Sequence, residues 1–211
     1  MTSPRPVSKP DLPFARDYLH RRGCGIPERY IRVAAAVPYW HGKDDGGRAV
    51  ELYSGPAMVA PFVAPSDDGT WQLIGCHITW IDLDNPPKFR PGLFGLTDKG
   101  REAGLTQWRY GDRRPSAEQL AAELYEVLPT KKMRGTKKGG MIPLAGTFRA
   151  ERWAGGEGIE NGLAFARWEG FRDDTFYFAA GDLGNLVGPA DPASRFAHPT
   201  LTKPDARGFQ R

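Results

Sequence analysis

The stretch Trp153-Ala-Gly-Gly-Glu157-Gly158-Ile159-Glu160-Asn161-Gly162-Leu163-Ala164-Phe165-Ala166 decides the fold. A short, weakly apolar run stops at Glu157, an acid flanked by glycines, and a helical pattern begins directly after it. A second apolar run follows, Thr175-Phe-Tyr-Phe-Ala-Ala180, and closes in Gly181-Asp182-Leu183-Gly184-Asn185-Leu186. This order predicts a strand–acid–helix–strand unit, with a carboxylate held where the first strand ends. In open α/β sheets the carboxyl ends of strands are where ligands and metal ions collect. Glu157 is therefore the first candidate for a functional side chain. Glu160 reads as an acid of the first helical turn, where the macrodipole favours it.

Around this unit, the composition sets bounds. The chain has 211 residues, 40% of them hydrophobic and 26% charged, enough for one large or two small domains with a real core. Its 26 glycines and 19 prolines point to short elements and many loops. The formal net charge of +4 is a mild basic bias, compatible with a nucleic-acid or nucleotide partner. Two cysteines, Cys24 and Cys76, cannot build a disulfide framework, so a cytoplasmic protein is expected. No segment approaches the run of about 18 apolar residues that a membrane span needs, and Met-Thr-Ser-Pro-Arg-Pro carries no signal-peptide core.

Upstream, residues 1–13 read as a flexible, proline-rich arm. Phe14, Tyr18 and Leu19 share one face of a helix that Gly23 and Gly25 end, and Ile26-Pro27 opens a second short helix running to Ile31. Val33–Val37, Ala57–Ala64 and Trp71–Ile81 have strand composition, with Asp67-Asp68-Gly69 as a hairpin turn. Residues 85–115 read as an irregular insertion. Ser116, with Gln119 three residues on, caps a helix whose apolar face is Leu120, Leu124, Val127 and Leu128, closed by Pro129. Thr130 to Gly140 then holds five basic side chains, Lys131, Lys132, Arg134, Lys137 and Lys138, among glycines that permit close approach to phosphate. A short strand, Met141–Leu144, leads into the unit around Glu157. The proline-rich tail after Gly188 reads as a loop.

The colinear order of these pieces resembles the Toprim-containing, primase-like proteins of phages, plasmids and integrated elements. The likeness runs from Phe14-Ala-Arg-Asp-Tyr-Leu-His-Arg-Arg-Gly through Pro56-Ala-Met-Val-Ala-Pro and Gly75-Cys-His-Ile-Thr-Trp-Ile-Asp. It continues in Thr130-Lys-Lys-Met-Arg-Gly, Gly139-Gly-Met-Ile-Pro-Leu, Glu157-Gly-Ile-Glu-Asn-Gly-Leu-Ala and Asp182-Leu-Gly-Asn-Leu. It implies an α+β fold: a β-rich primase-accessory domain over residues 14–128, then a truncated α/β Toprim-like half-domain over residues 129–211. It implies metal-dependent nucleotidyl transfer in DNA replication, with Glu157 as acid/base or as ligand of Mg²⁺ or Mn²⁺. A basic strip ahead of it would grip template and nucleotide through Lys131, Lys132, Arg134, Lys137 and Lys138, with Lys88 on the same surface. Single-stranded DNA and ribonucleotides are the partners this implies, together with a replicative helicase.

The sequence departs from that pattern in two places, the first of them central to the chemistry. A later Toprim strand supplies an Asp-x-Asp pair, and no apolar strand ending in Asp-x-Asp follows Glu157. Asp82-Leu83-Asp84 has the right letters but lies upstream. Asn161 also stands where the pattern has Thr or Asp. The missing segment would have to come from a separately encoded C-terminal Toprim half. The competing reading is a catalytically inactive relic that binds DNA or docks a helicase, and Toprim-type cleavage is a third. His20, Cys24, Cys76 and His77 match no structural zinc spacing. Among the six tryptophans, Trp108, beside Gln107, Arg109 and Tyr110, is the candidate for stacking on bases.

Overall fold

The computed structural model describes residues 12–25, 29–44 and 46–187. In chain order it has helix α1 (Leu12–Arg21) and strands β1 (Arg32–Lys43), β2 (Ala49–Pro65), β3 (Trp71–Trp80) and β4 (Phe94–Leu96). Helices α2 (Asp98–Glu102) and α3 (Ala117–Ala121) come next, then strands β5 (Tyr125–Val127), β6 (Lys131–Gly135), β7 (Ile142–Ala145) and β8 (Arg152–Gly156). Helix α4 (Ile159–Trp168), strand β9 (Thr175–Ala179) and helix α5 (Leu183–Val187) complete it. Helices and a mostly antiparallel set of strands, five of the six strand pairings among the described residues being antiparallel, make an α+β arrangement. No helix among the described residues is long and apolar enough to cross a membrane.

Three of the four strands in the first sheet form a meander, β1-β2-β3, with the expected hairpin at Asp67-Asp68-Gly69 joining β2 to β3. There the Asp68 carboxylate accepts hydrogen bonds from Ser66 Oγ and from Thr70 N and Oγ1. The fourth strand is β6, antiparallel to β3 with Thr79 opposite Lys131 and Gly75 opposite Gly135. Half of the basic run is thus sheet rather than loop. Its residues have no apolar alternation; the free edge of β3 makes them a strand.

Two cores flank the long β2. One joins Tyr18 and Leu19 of α1, Met58, Ala60 and Phe62 of β2, Ile142 and Leu144 of β7, Leu163 and Ala166 of α4, and Tyr177 of β9. The other gathers Tyr39, Leu52, Ile78, Trp80, Leu93, Phe94 and Trp108. Trp80 is fully buried, donates its indole N–H to Val37 O at 2.8 Å and meets Tyr39 edge-on at 4.8 Å. Each such side chain, fully buried, contributes roughly 2–3 kcal/mol over exposure. The segment 85–115, read from sequence as an appended insertion, lends Leu93, Phe94 and Trp108 to this core and is part of the fold. The boundary near residue 129 likewise falls inside packed structure: β6 lies in the first sheet, and α1 packs with α4.

The helix begun at Ser116 has the expected capping box, but it stops at Ala122 because Glu123 adopts a left-handed φ of 59°. Leu124, Val127 and Leu128, expected on its apolar face, lie beyond its end, and Tyr125–Val127 is instead β5, paired with β4. The helix expected from Ile26-Pro27 falls largely outside the described residues, and Arg29–Ile31 is not helical. Of the arm expected over residues 1–13, Leu12 and Pro13 open α1, and the rest, like the tail from 188, lies outside the described residues.

The strand–acid–helix–strand unit forms as expected. β8 and β9 are parallel, linked by α4, and β7 flanks β9 antiparallel to give the order β7-β9-β8. Gly162 lets the helix lie close: a Cβ there would sit 2.5 Å from Leu144 Cδ1 and 3.2 Å from Phe178 O.

Candidate nucleic-acid interface

Glu157 follows the last residue of β8 and precedes the first of α4, exposed, at the carboxyl edge of the three-stranded sheet. Its backbone is fixed: Glu157 O accepts from Gly181 N at 2.8 Å, and Gly156 O from Ala180 N at 2.9 Å. Gly181 takes φ of 88°, a left-handed turn that lets the chain leave β9 toward Asp182. The Glu157 carboxylate makes no hydrogen bond or ion pair to any described residue.

The register brings the basic loop to the same edge. Ile142, the first residue of β7, pairs with Ala179, the last of β9, which pairs with Gly156, the last of β8. The loop 136–141 therefore enters the sheet where Glu157 leaves it. Asn185 clips the loop down: its Oδ1 accepts from Gly139 N at 3.1 Å, and its Nδ2 donates to Gly140 O and Ala180 O, both at 2.8 Å. Lys137 pairs with the Asp182 carboxylate, and its hydrogen bond holds that acid below the usual range. Lys138 is exposed and has no partner among the described residues.

The six cations do not lie along one strip. Alternation in β6 sends Lys131 and Lys132 to opposite faces. Lys131 Nζ donates to Glu160 Oε2 at 2.9 Å. Lys132 Nζ donates to Trp40 O at 2.7 Å and lies 3.6 Å from the Tyr39 ring centroid. Burial, helped by the nearby Arg134 charge, pulls the Lys132 pKa down to about 8. Arg134 is exposed two residues along. Lys88, also exposed, sits in the loop after β3 and lines a cleft with Lys131.

Glu160 is the feature the sequence reading undervalued. It is buried, 8% exposed, and its carboxylate accepts from Tyr18 Oη (2.7 Å), Arg90 Nη2 (2.6 Å) and Lys131 Nζ (2.9 Å). Burial alone would raise its pKa; the Lys131 charge and the hydrogen bonds from Lys131 and Tyr18 outweigh that and hold it at about 2. Burial, reinforced by Glu160, pushes the Tyr18 phenol well above its ordinary range and the Cys24 thiol up to about 11. Cys24 Sγ donates to Glu160 O at 3.4 Å. His77, buried on β3, is held down at about 4 by desolvation and then by the Lys131 charge. One signal was readable: Glu160 lies three residues before the buried Leu163, on the inward stripe of α4. Its partners, at positions 18, 90 and 131, carry no local mark.

Trp108, expected as a stacking platform, is in the core at 5% exposure, edge-on to Phe94 and Tyr110. Asp82-Leu83-Asp84 forms the turn after β3, where Asp84 N donates to Asp82 Oδ1 at 3.1 Å.

A divalent ion at Glu157 would draw on one or two carboxylates plus phosphate oxygens and water. Glu157 offers one free carboxylate, while Asp182 is occupied by Lys137 and by Asn185 N. Among the described residues no group of three or more His, Cys, Asp or Glu side chains comes together that could hold a metal. These residues do not by themselves make a metal centre. Comparison of the chain with family models, with curated proteins and with solved structures returned no match.

Proposed function

We propose that the chain is a primase-like protein of DNA replication that takes the phosphates of single-stranded nucleic acid or nucleotide at the carboxyl edge of β8 and β9, beside Glu157. The register of β7, β9 and β8 carries this reading, because it brings the loop of Lys137 and Lys138 and the unpaired Glu157 carboxylate to one edge. Loop N–H groups and lysine ammonium groups suit phosphate, and an adjacent unpaired acid suits a proton or a divalent ion. Nucleotidyl transfer with Mg²⁺ or Mn²⁺ is completed by acids outside the described residues or on a separately encoded chain. Glu157→Gln then abolishes primer synthesis in the reconstituted complex while oligodeoxynucleotide binding stays nearly intact. Full activity in that variant would end the role for Glu157.

The single unengaged carboxylate at this edge favours a second reading, that of a binding-only relic or helicase-docking module. In that case oligonucleotide binding is indifferent to divalent metal and primer synthesis is absent in every reconstitution. Under both readings Lys137→Ala with Lys138→Ala weakens binding and lowers the slope of log K against log salt by about 1.4.

A further inference from the structure

Strand β5 leaves one of its edges open. Within the β4–β5 ribbon Leu128 N donates to Leu93 O at 2.9 Å, and Thr97 N donates to Leu124 O at 3.3 Å. Bonds at positions 124 and 128 make Glu126 the residue between them that faces β4. Tyr125 and Val127 are one position out of step, so they turn their N–H and C=O groups to the opposite side. The ribbon has two strands only, and these four groups bond to no described residue. Val127 is also 68% exposed. An open strand edge that carries an exposed apolar side chain is a template for pairing with another chain.

The surface beside this edge is basic at both ends. Toward Tyr125 lies a depression of about 400 Å³ lined by Arg113, Arg114, Ser116 and Gln119. Toward Val127 lies a second, of about 450 Å³, where Lys88, Arg90 and Lys131 stand with Pro87 and Pro129. The two adjoin where Arg114 crosses Gly92, which lines the second: a Cβ there would stand 3.4 Å from Arg114 Cζ. No acidic residue lines either depression. Glu126 alternates to the other face of the ribbon and meets His41 at 3.5 Å. Glu160 answers Arg90 and Lys131, whereas Lys88, Arg113 and Arg114 form no ion pair with any described residue.

These features select the occupant. A row of alternating N–H and C=O groups is matched by an extended peptide, which offers both. A phosphate backbone offers acceptors alone and leaves the carbonyls of Tyr125 and Val127 unmet. A second copy of this chain, pairing β5 with β5 about a two-fold axis, would set the arginine end of one against the lysine end of the other, and like charges repel. An acidic peptide meets the charge at both ends.

We propose that β5 is a docking strand for an extended acidic peptide of a protein partner. The peptide adds a third strand to the β4–β5 ribbon, with an apolar residue against Val127. Its carboxylates lie on Arg113 and Arg114 at one end and on Lys88 at the other. The surface uses none of the residues of the Glu157 edge.

The probe is the fluorescein-labelled peptide Asp-Glu-Thr-Val-Thr-Asp-Glu, titrated with the full chain and read by anisotropy. The control is the same peptide with lysine for each acid. Val127→Pro deletes an outward N–H and no hydrogen bond of the fold, a change that an edge strand accepts. Arg113→Glu with Arg114→Glu reverses the charge at one end. Each variant is expected to weaken binding about tenfold or more, with thermal unfolding as the check on folding. In the parent, bound peptide is expected to slow amide hydrogen exchange at Tyr125 and Val127. No binding by the parent up to about 1 mM overturns the docking strand, as does equal affinity for the lysine peptide. So does undiminished binding by a folded Val127→Pro. Should that variant not fold, the exchange measurement decides alone, and unchanged exchange at both residues overturns the proposal. Displacement of the peptide by an oligodeoxythymidine whose own binding falls in Arg113→Glu with Arg114→Glu would give the groove to nucleic acid and overturn it too.

Discussion

Glu157 and Glu160 stand three residues apart at the head of one helix and live in opposite surroundings. The first lies at the sheet edge, exposed, with its backbone clamped and its carboxylate unengaged. The second lies one turn inward, buried, with a phenol, a guanidinium and an ammonium around it. A carboxylate that answers every charge around it holds the fold, while one left unanswered on a fixed backbone is available to a ligand. The contrast also separates the two cation groups: Lys131 and Arg90 face the buried acid, and Lys137 and Lys138 belong to the exposed edge.

The sharpest way to break the contrast is to remove the buried acid. Glu160→Ala leaves Arg90 and Lys131 half-buried without their anion, and the expected cost is about 3–5 kcal/mol. For a chain of this size that lowers the melting temperature by roughly 10 °C or more, read by calorimetry. A loss no larger than that of Glu157→Ala would show that the three-way pairing contributes nothing net.

Acid should act most on the buried side. His77 takes its proton near 6.5 when unfolded and near 4 when folded, so between those values the unfolded chain holds the extra proton. Stability therefore falls as pH drops through that window. Glu160 has a lowered folded pKa, about 2 against 4.5, so its contribution is present above 4.5 and is lost as pH falls toward 2. Each contributes on the order of 3 kcal/mol. Urea midpoints measured from pH 8 to 3 should decline in two stages, and His77→Gln should remove the upper one.

Smaller effects belong to the edge. The Lys137–Asp182 pair is about half exposed, so Lys137→Ala should cost no more than about 1 kcal/mol while its effect on oligonucleotide binding is plain. Glu157→Gln should shift stability by less than about 0.5 kcal/mol, since nothing described rests on that carboxylate.

Local chemistry made part of this legible. The acid between two apolar runs gave the parallel β8–α4–β9 unit, and Ser116 with Gln119 gave a capping box. What escaped was set by distant neighbours. Lys131–Gly135 became a strand because β3 had an open edge, and Glu123 ended α3 in a left-handed turn that no glycine announced. The Glu160 cluster draws on four separate stretches of the chain, and only the intrusion of an acid on the buried stripe of α4 hinted at it.

The contact between Tyr18 and Glu160 spans 142 residues of chain. On a ribosome adding about 5–20 residues per second, the helix bearing Tyr18 waits on the order of 10 s for its partner to emerge. Through that interval β1 and β2 reach the face of α1 bearing Tyr18 and Leu19 first, and the part of it that meets α4 stays uncovered. Chaperone occupancy of the nascent chain should therefore persist until α4 clears the exit tunnel, and slowing translation should raise aggregation more than it would for a protein built from local contacts.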